Sequence, residues 1–324
     1  MANKFGLKVA AIVLASASVF TACSSSAPAT SGSAAGGGTK TLKIGVTFPI
    51  LDQFLQKVAD AITAEAKAKG VEVNIVAADE KTDTQLGQVE NFVSQKVDGI
   101  IVIPVDTDAA GPMTEAAKGA NIPLVYVNRK PADLPSGVPY VGSDSLYAGT
   151  VEMQELAKLA GGQGNVVILQ GDPANEAAVQ RTKGCNDVVA QNPGMKVIKT
   201  QAGNWYREKG QSIMENWLQS GDDIKVVCAN NDEMALGAIN AIKADNKKLG
   251  ADGILVGGVD ATADALAAMT AGDLAVTVFQ DAAGQGKGGV DAVVDLANGQ
   301  TVKDYVDIPY QLVTPDNMAD FASK

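Results

Sequence analysis

The sequence predicts an α/β protein built from parallel sheets flanked by helices, and three observations support this prediction. Short runs rich in Val and Ile alternate along the chain with stretches whose apolar residues have helical spacing. These runs are almost continuously apolar, which is typical of strands buried on both faces of a parallel sheet. Roughly 285 residues follow a Ser- and Gly-rich segment, more than one core usually contains, so two lobes are expected.

Nine strands are predicted from the apolar runs. They are Leu42–Phe48, Val71–Ala77, Gly99–Pro104, Leu124–Asn128, Val166–Leu169, Lys196–Gln201, Lys225–Ala229, Gly253–Val259 and Leu274–Gln280. Between the first two, the spacing of Phe54, Val58 and Ile62 predicts an amphipathic helix. Residues 140–144 break the alternation, and we interpret them as a strand that leads into a crossing between the lobes.

Residues 1–22 have the pattern of an export signal. A basic start precedes the apolar run Val9–Phe20, which is too short to form a permanent bilayer-spanning helix. The cysteine that follows, Cys23, resembles the lipidated cysteine of bacterial lipoproteins, and residues 23–40 have the composition of a flexible tether. We therefore expect a domain anchored by lipid at the periplasmic or extracellular face of the membrane. The alternative is ordinary secretion without lipidation.

Composition excludes several classes of function. The formal net charge of −11 argues against nucleic-acid binding, which needs a basic surface. The chain has no histidine, which rules out histidine-based catalytic triads and histidine metal sites. Apart from Cys23, only Cys185 and Cys228 are present, and the sequence leaves open whether they form a disulfide.

A glycine-rich motif, G-x-G-x-x-G at residues 284–289, is typical of dinucleotide-binding proteins. It lies in the last strand–helix unit of the chain, whereas a dinucleotide fold needs further parallel strands after the motif. We therefore interpret these glycines as easing helix packing and expect no cofactor.

Polar and aromatic side chains follow the strands, where an open α/β sheet binds ligands at the carboxyl ends of its strands. They are Asp52, Gln53 and Phe54 after the first predicted strand, Asn128 and Arg129 after the fourth, Trp205 after the sixth, Asn231 after the seventh, Asp260 after the eighth and Gln280 after the ninth. Carboxylates and amides accept from hydroxyls, guanidinium groups donate, and an aromatic face packs on C–H groups. This set predicts a site for a neutral, polyhydroxylated ring. For Asn231 and its neighbour Asp232, the alternative is a purely capping role at the following helix.

From about residue 40 to residue 313 the chain resembles the ribose-type periplasmic sugar-binding proteins, the receptors of ABC importers. Four motifs carry the resemblance: NNDEMALGAI at 230–239, VNRK at 127–130, GVDAT at 258–262 and AVTVFQ at 275–280. It implies two similar lobes, joined by three crossing strands, whose cleft closes on one sugar.

The resemblance also implies the lobe boundaries and the partners. The first lobe is expected to comprise residues 41–143 and 281–309, and the second residues 144–280 and 310–324. A monomer of this kind binds a small neutral sugar or polyol and passes it to the permease subunits of an ABC importer. It is not an enzyme.

Individual site residues follow from the matching motifs. Asn128 and Arg129 match a pair that holds ring hydroxyls, and Trp205 matches an aromatic residue that stacks on the sugar. Arg181 falls near the arginine of the second lobe, with a surface position on a helix as the alternative. Three further positions match hydrogen-bonding residues of the second lobe and hinge, namely Asn231, Asp260 and Gln280.

The first lobe departs from the family pattern. Ribose-type members have Asn-Pro-Phe-Phe after the first strand, where this chain has Leu51, Asp52, Gln53 and Phe54. Phe54 retains one aromatic wall, and a polar Gln53 beside Asp52 suits a ligand with more hydroxyls. As a ligand for this site, we therefore expect a cyclic polyol such as inositol, or a pyranose, at least as readily as ribose.

Two other classes of protein share this fold. A sensory receptor passes its closed state to a chemoreceptor or sensor kinase, and the sequence alone does not separate that role from transport. A repressor of the related family needs a basic helix-turn-helix at the N-terminus, where this chain has an export signal.

Overall fold

Two parallel sheets organise the part of the chain that the computed structural model describes, residues 41–322. The predicted signal peptide (1–22), the tether (23–40) with Cys23, and the last two residues lie outside it. Within residues 41–322 there are nine α-helices, and none of them is long and apolar enough to cross a membrane.

The first sheet has six parallel strands in the order β11-β5-β4-β3-β1-β2. In chain order these strands are β1 (Lys43–Phe48), β2 (Glu72–Ala77), β3 (Gly99–Val102), β4 (Leu124–Val127), β5 (Tyr140–Gly142) and β11 (Tyr305–Asp307). One face is covered by α1 (Gln53–Lys69) and α9 (Ala282–Ala297), and the other by α2 (Thr82–Ser94) and α3 (Gly111–Gly119). The inner strands β1, β3 and β4 are almost wholly buried, as their apolar sequences predict.

The second sheet has four parallel strands in the order β7-β6-β8-β9. They are β6 (Gln163–Gln170), β7 (Gly194–Ala202), β8 (Ile224–Ala229) and β9 (Leu255–Gly257). Isolated bridges connect the β9 region to β10 (Thr277–Phe279), which pairs antiparallel with β12 (Gln311–Val313). The helices are α4 (Ser145–Leu159) and α5 (Glu176–Ala190) on one face, and α6 (Arg207–Gln219), α7 (Asp232–Ala244) and α8 (Ala263–Thr270) on the other.

The chain passes between the two sheets three times, from β5 to α4, from β10 to α9 and from β11 to β12. This arrangement confirms the predicted fold: two α/β lobes, each with a parallel sheet and flanking helices, joined by three strands. The exact lobe boundaries given above remain a prediction.

The strand predictions missed β11 and β12. Each has only three residues. β11 alternates between exposed and half-buried positions, and only the last residue of β12 is buried, so neither gives a clear apolar run in the sequence. Only the completed sheet shows that β11 pairs with β5 and β12 with β10. The run predicted at 253–259 shortens to the three residues of β9.

Local sequence explains where α1 begins and ends and how α9 packs on it. The side chain of Asp52 caps the N-terminus of α1, and Gly70 ends it in a left-handed conformation with φ of 67°. A Cβ on Gly286 of α9 would lie 2.6 Å from the carbonyl oxygen of Val58 in α1. The glycine motif of α9 therefore allows close helix packing, in agreement with the interpretation from the sequence.

Cys185 of α5 and Cys228 of β8 are joined by a disulfide inside the second lobe. Both residues are fully buried. The bond connects the helix that carries Arg181 to the strand that precedes Asn231, and it answers the question that the sequence left open.

Candidate functional site

A small cavity lies where loops from the carboxyl ends of both sheets approach each other. The volume that the centres of water molecules can occupy in this cavity is about 40 Å³. Roughly 10–15 Å³ of such volume is enough to hold one water molecule. The cavity is lined by Asp52, Phe54, Leu55, Asn128, Arg129, Ala177, Arg181, Trp205, Asn231, Asp260 and Gln280. The structure thus brings together nine of the ten residues selected from the sequence as ligand-binding.

The tenth, Gln53, does not line the cavity. It is the first residue of α1 and is exposed. Its neighbours Asp52 and Phe54 line the cavity because a helix turns successive side chains to different sides. Of the two polar residues at this position, only Asp52 is therefore placed to contact a ligand with more hydroxyls.

Asp52 has two roles at the N-terminus of α1. Its Oδ1 accepts a hydrogen bond from the backbone N–H of Leu55 at 2.7 Å, which is the capping role. Burial raises the pKa of the Asp52 carboxyl, and the hydrogen bond from Leu55 and the charge of Arg129 oppose this rise. Since Asp52 also lines the cavity, its carboxylate is positioned to accept from a ligand hydroxyl.

Asn128 and Arg129 follow β4. Asn128 has φ of 66°, and its Nδ2 donates to Oε1 of Gln285 at 3.0 Å, which ties it to α9. Arg129 is buried, and its Nη1 donates to the carbonyl oxygens of Pro104 at 3.1 Å and Val105 at 3.3 Å. Through these bonds, the backbone of the loop after β3 holds the guanidinium group at the cavity.

Arg181 is the most extensively connected residue of the site. Its Nη1 donates to the carbonyl oxygen of Asn230 at 2.6 Å, and its Nη2 donates to Oε1 of Gln280 at 2.9 Å and to the hydroxyl of Tyr310 at 2.6 Å. The guanidinium carbon also lies 5.7 Å from the ring centroid of Trp205. The structure therefore places Arg181 inside the cleft and excludes the alternative of a surface arginine.

Trp205 is held in place from two sides. Its Nε1 donates to Oδ1 of Asn175 at 2.9 Å, and its ring packs so closely on Gly171 that a Cβ there would lie 2.2 Å from the indole. The carbonyl oxygen of Trp205 accepts from Nδ2 of Asn231 at 3.2 Å. An indole fixed in this way presents a rigid aromatic surface to the cavity.

Asn231 caps α7, since its Oδ1 accepts from the backbone N–H of Met234 at 3.1 Å. Asp232 has a purely structural place: it is fully buried and accepts from the backbone N–H of Thr262 at 2.8 Å and from Oγ1 of Thr277 at 2.7 Å. Asn231 thus both caps α7 and lines the cavity, whereas Asp232 connects the start of α7 to the loop after β9.

Asp260 contributes a buried carboxylate with no hydrogen-bond donor to its oxygens from residues 41–322. It is 7% exposed, and burial raises the pKa of its carboxyl well above the usual value, although the charge of Arg181 opposes the rise. A buried carboxylate without donors is costly, so its oxygens are suited to accept a hydrogen bond from a group that enters the cavity.

Three cavity residues have left-handed backbone conformations that side chains rarely adopt. The φ angles are 66° at Asn128, 72° at Trp205 and 125° at Asp260. Such conformations cost about 1–3 kcal/mol each and persist where the surroundings impose them, often at binding sites. No sequence pattern indicated this.

Sequence reasoning missed Leu55 and Ala177, which line the cavity, and Asn175, which supports Trp205. Leu55 and Ala177 lie in the first turns of α1 and α5, which approach the cavity end-on. Their apolar side chains give no local signal of a binding role. Asn175 precedes a helix and therefore has the appearance of an ordinary cap in the sequence.

One group of residues has the composition of a metal site. Ligand atoms of Glu152, Cys185 and Cys228 lie within 4.8 Å of one another. The two cysteines are joined in a disulfide and so offer no thiolates, the form that binds metals. Burial raises the pKa of the Glu152 carboxyl well above its usual value, which favours the neutral acid. This group therefore does not fit a bound cation.

Two α/β lobes with a cleft lined by two carboxylates, two guanidinium groups and two aromatic rings define a ligand-binding protein of the periplasmic type. The chain belongs to the family of the periplasmic binding protein domain, whose sequence profile matches residues 44–301. Membership in this family confirms the resemblance noted from the motifs, and it places the protein among substrate-binding components of transporters.

Several relatives show how close the match is. The chain is 46% identical over 260 residues to a putative rhizopine-binding protein of Rhizobium meliloti, covering 79% of this chain and 84% of the relative. It is 35% identical over 279 residues to a xylitol-binding protein of Mycolicibacterium smegmatis, covering 86% and 78%. An ABC transporter solute-binding protein from Bacillus halodurans with bound myo-inositol matches in structure with a TM-score of 0.85 and 41% identity, covering 89% of this chain and 99% of that one.

Proposed function

We propose that this protein captures a cyclic polyol or a monosaccharide in the cleft between its lobes, and that myo-inositol is the first ligand to test. One observation carries the proposal. Asp52 and Asp260 face the cavity together with Arg129 and Arg181, so the formal charges of the lining residues cancel. A site of this kind supplies many hydrogen-bonding groups and favours no net charge on the ligand.

The aromatic lining supports a ring-shaped ligand. Phe54 comes from the first lobe and Trp205 from the second, and both line the cavity. Their apolar surfaces suit the C–H faces of a ring, while the polar residues around them suit its hydroxyls. The bound myo-inositol in the Bacillus halodurans protein and the name of the xylitol-binding relative support a polyol as the ligand.

Binding closes the cleft in the proposed mechanism. The lobes are residues 41–143 with 281–309 and residues 144–280 with 310–324, and they move about the three crossing strands. The ligand favours the closed form only through contacts that it makes with both lobes at once. The closed monomer then delivers the ligand to the permease of an ABC importer, and a lipid on Cys23 keeps it at the outer face of the membrane.

A thermal-shift screen followed by calorimetry tests the proposed ligand class. The panel comprises myo-inositol, xylitol, ribose, xylose and galactose, because a ligand that binds only the folded state raises its melting temperature. Asp260→Ala should weaken binding of the active compound by more than tenfold. Asp133→Ala, which changes an exposed aspartate away from the cavity, is the matched control and should leave affinity unchanged. A panel without any binder would refute the proposed ligand class.

The envelope location has its own test. Mass spectrometry of the protein from membranes should find a lipid on Cys23, and Cys23→Ser should release the protein from the membrane fraction. An unmodified N-terminus that begins at another residue would instead support ordinary secretion.

A further inference from the structure

Asn175 occupies the N-cap position of α5 without capping it. Its side chain makes no hydrogen bond to the first turn of the helix. Asn is among the residues that most often cap helices through their side chains, so this absence is unusual. The residue is also 0% exposed, and a buried amide needs partners for both its donor and its acceptor atoms.

The partners of this amide lie on opposite sides of the cleft. Its Oδ1 accepts from Nε1 of Trp205 at 2.9 Å, within the second lobe. Its Nδ2 donates to the carbonyl oxygen of Val105 at 2.8 Å, in the loop after β3 of the first sheet. The same carbonyl oxygen accepts from Nη1 of Arg129 at 3.3 Å. A single side chain therefore links the supports of two cavity residues that belong to different lobes.

A second contact crosses the cleft beside it. The backbone N–H and Oγ1 of Thr107 both donate to the carbonyl oxygen of Ala174 at 3.0 Å. This contact does not involve any residue that lines the cavity. The two neighbouring contacts thus differ in one respect: only the bond through Asn175 extends to the aromatic ring at the site.

We propose that Asn175 is a positioning residue that couples the orientation of Trp205 to closure of the cleft. An amide is suited to this role because it provides a donor and an acceptor at once, whereas a carboxylate only accepts. When the cleft closes, the bond to Val105 orients the amide, and the amide orients the indole against the ligand. The inference rests on the proposed function only in assuming that the ligand contacts Trp205.

A double-mutant cycle tests the coupling, with myo-inositol as the probe. Trp205→Phe keeps an aromatic face and removes the indole N–H, so it should weaken binding three- to tenfold in the otherwise native protein. In the Asn175→Ala background the same change should cost less than twofold, because the bond is already lost. Equal effects of Trp205→Phe in both backgrounds would overturn the proposed coupling.

Two further variants separate positioning from general stability. Asn175→Asp keeps an acceptor for the indole but places a carboxylate beside the Val105 carbonyl oxygen, so the ligand should dissociate at least tenfold faster. Thr107→Val removes only the hydroxyl donor of the neighbouring contact and should change the dissociation rate less than threefold. A similar acceleration in both variants would show that Asn175 contributes merely to closure and has no special link to the site.

An NMR measurement makes the inference independent of the ligand. The chain has two tryptophans, so two indole N–H signals are expected. Asn175→Ala should shift the signal of Trp205 and speed its hydrogen exchange, and it should leave that of Trp217 unchanged. If no compound binds but the Trp205 signal responds, the proposed function fails and the positioning role stands. An unchanged Trp205 signal overturns the positioning role even if myo-inositol binds.

Discussion

The two walls of the cavity carry similar side chains but are fixed in different ways. In the wall from the six-stranded sheet, Arg129 is held by two backbone carbonyl groups of a single loop. In the wall from the four-stranded sheet, Arg181 connects Asn230, Gln280 and Tyr310, which come from three separate segments. The second wall is therefore a network of side chains around Arg181, whereas the hydrogen bonds of Arg129 in the first wall go only to the backbone of one loop.

This difference has a consequence for specificity. A residue supported singly can change without disturbing its neighbours, whereas a change inside a network leaves buried groups unpaired. The departure from the ribose-type pattern falls in the first wall, around Asp52 and Phe54. The motif that comes close to a family signature, NNDEMALGAI with Asn231, falls in the second. We therefore expect residues of the first wall to determine which ligand is bound, while the second wall stays the same.

The largest expected effect is that of Arg181→Lys compared with Arg129→Lys. Lysine cannot reproduce the geometry of a guanidinium group, so Arg181→Lys should weaken ligand binding at least 100-fold and lower the free energy of unfolding by about 2–4 kcal/mol. Arg129→Lys should weaken binding about tenfold and lower the unfolding free energy by about 1 kcal/mol. Calorimetry and urea unfolding measure both quantities. Equal losses of stability would contradict the contrast between the walls.

Trp205→Ala should come next, with an effect mainly on binding. Removing the indole eliminates the aromatic surface of the second wall, so affinity should fall by more than tenfold, about 1.4 kcal/mol or more. Trp205 is only partly buried, whereas Trp217 lies in the core. The melting temperature of the ligand-free protein should therefore fall much less in Trp205→Ala than in Trp217→Ala. Unchanged affinity would remove Trp205 from the site.

Asp52→Ser separates the two roles of Asp52. Serine retains the helix cap, so the free energy of unfolding should change by less than about 1 kcal/mol. The loss of the carboxylate at the cavity should weaken binding about fivefold to tenfold and change the ranking of ligands in the panel. Asp52→Ala, which also removes the cap, is the comparison for stability. A ligand ranking identical to that of the native protein would argue against a role of the first wall in specificity.

The smallest effect on ligand binding is expected at Asp232, which does not line the cavity and instead affects how stability depends on pH. Burial raises the pKa of its carboxyl from 3.8 to about 7, opposed by hydrogen bonds from Thr262 and Thr277. Because its pKa is raised, Asp232 keeps its proton to a higher pH in the folded state than in the unfolded state. The resulting stabilisation of the folded state is complete below about pH 4 and is lost as pH rises through 7. Melting temperatures from pH 5 to 8 should therefore fall more in the native protein than in Asp232→Asn. Equal falls in the two proteins would mean that Asp232 is already ionised in the folded protein over this pH range.

Much of the fold could be predicted because its signals are local. Val and Ile runs such as those of β1 and β3 identify buried parallel strands, and the residues that follow each strand must lie at one edge of the sheet. Nine cavity residues were found by this rule together with the family motifs. Gln53 shows its limit, because the side of a helix on which a residue lies depends on how the helix packs.

What the sequence alone determined was the α/β class, the two lobes and the chemical character of the cleft, since periodicity and strand-end residues are properties of short segments. Only the tertiary structure decided which atoms meet. Arg181 and Gln280, or Asn175 and Val105, are far apart in the chain, and their bonds exist because separate strands and helices pack into one body. Partners of this kind depend on the relative placement of whole elements, which no local pattern records.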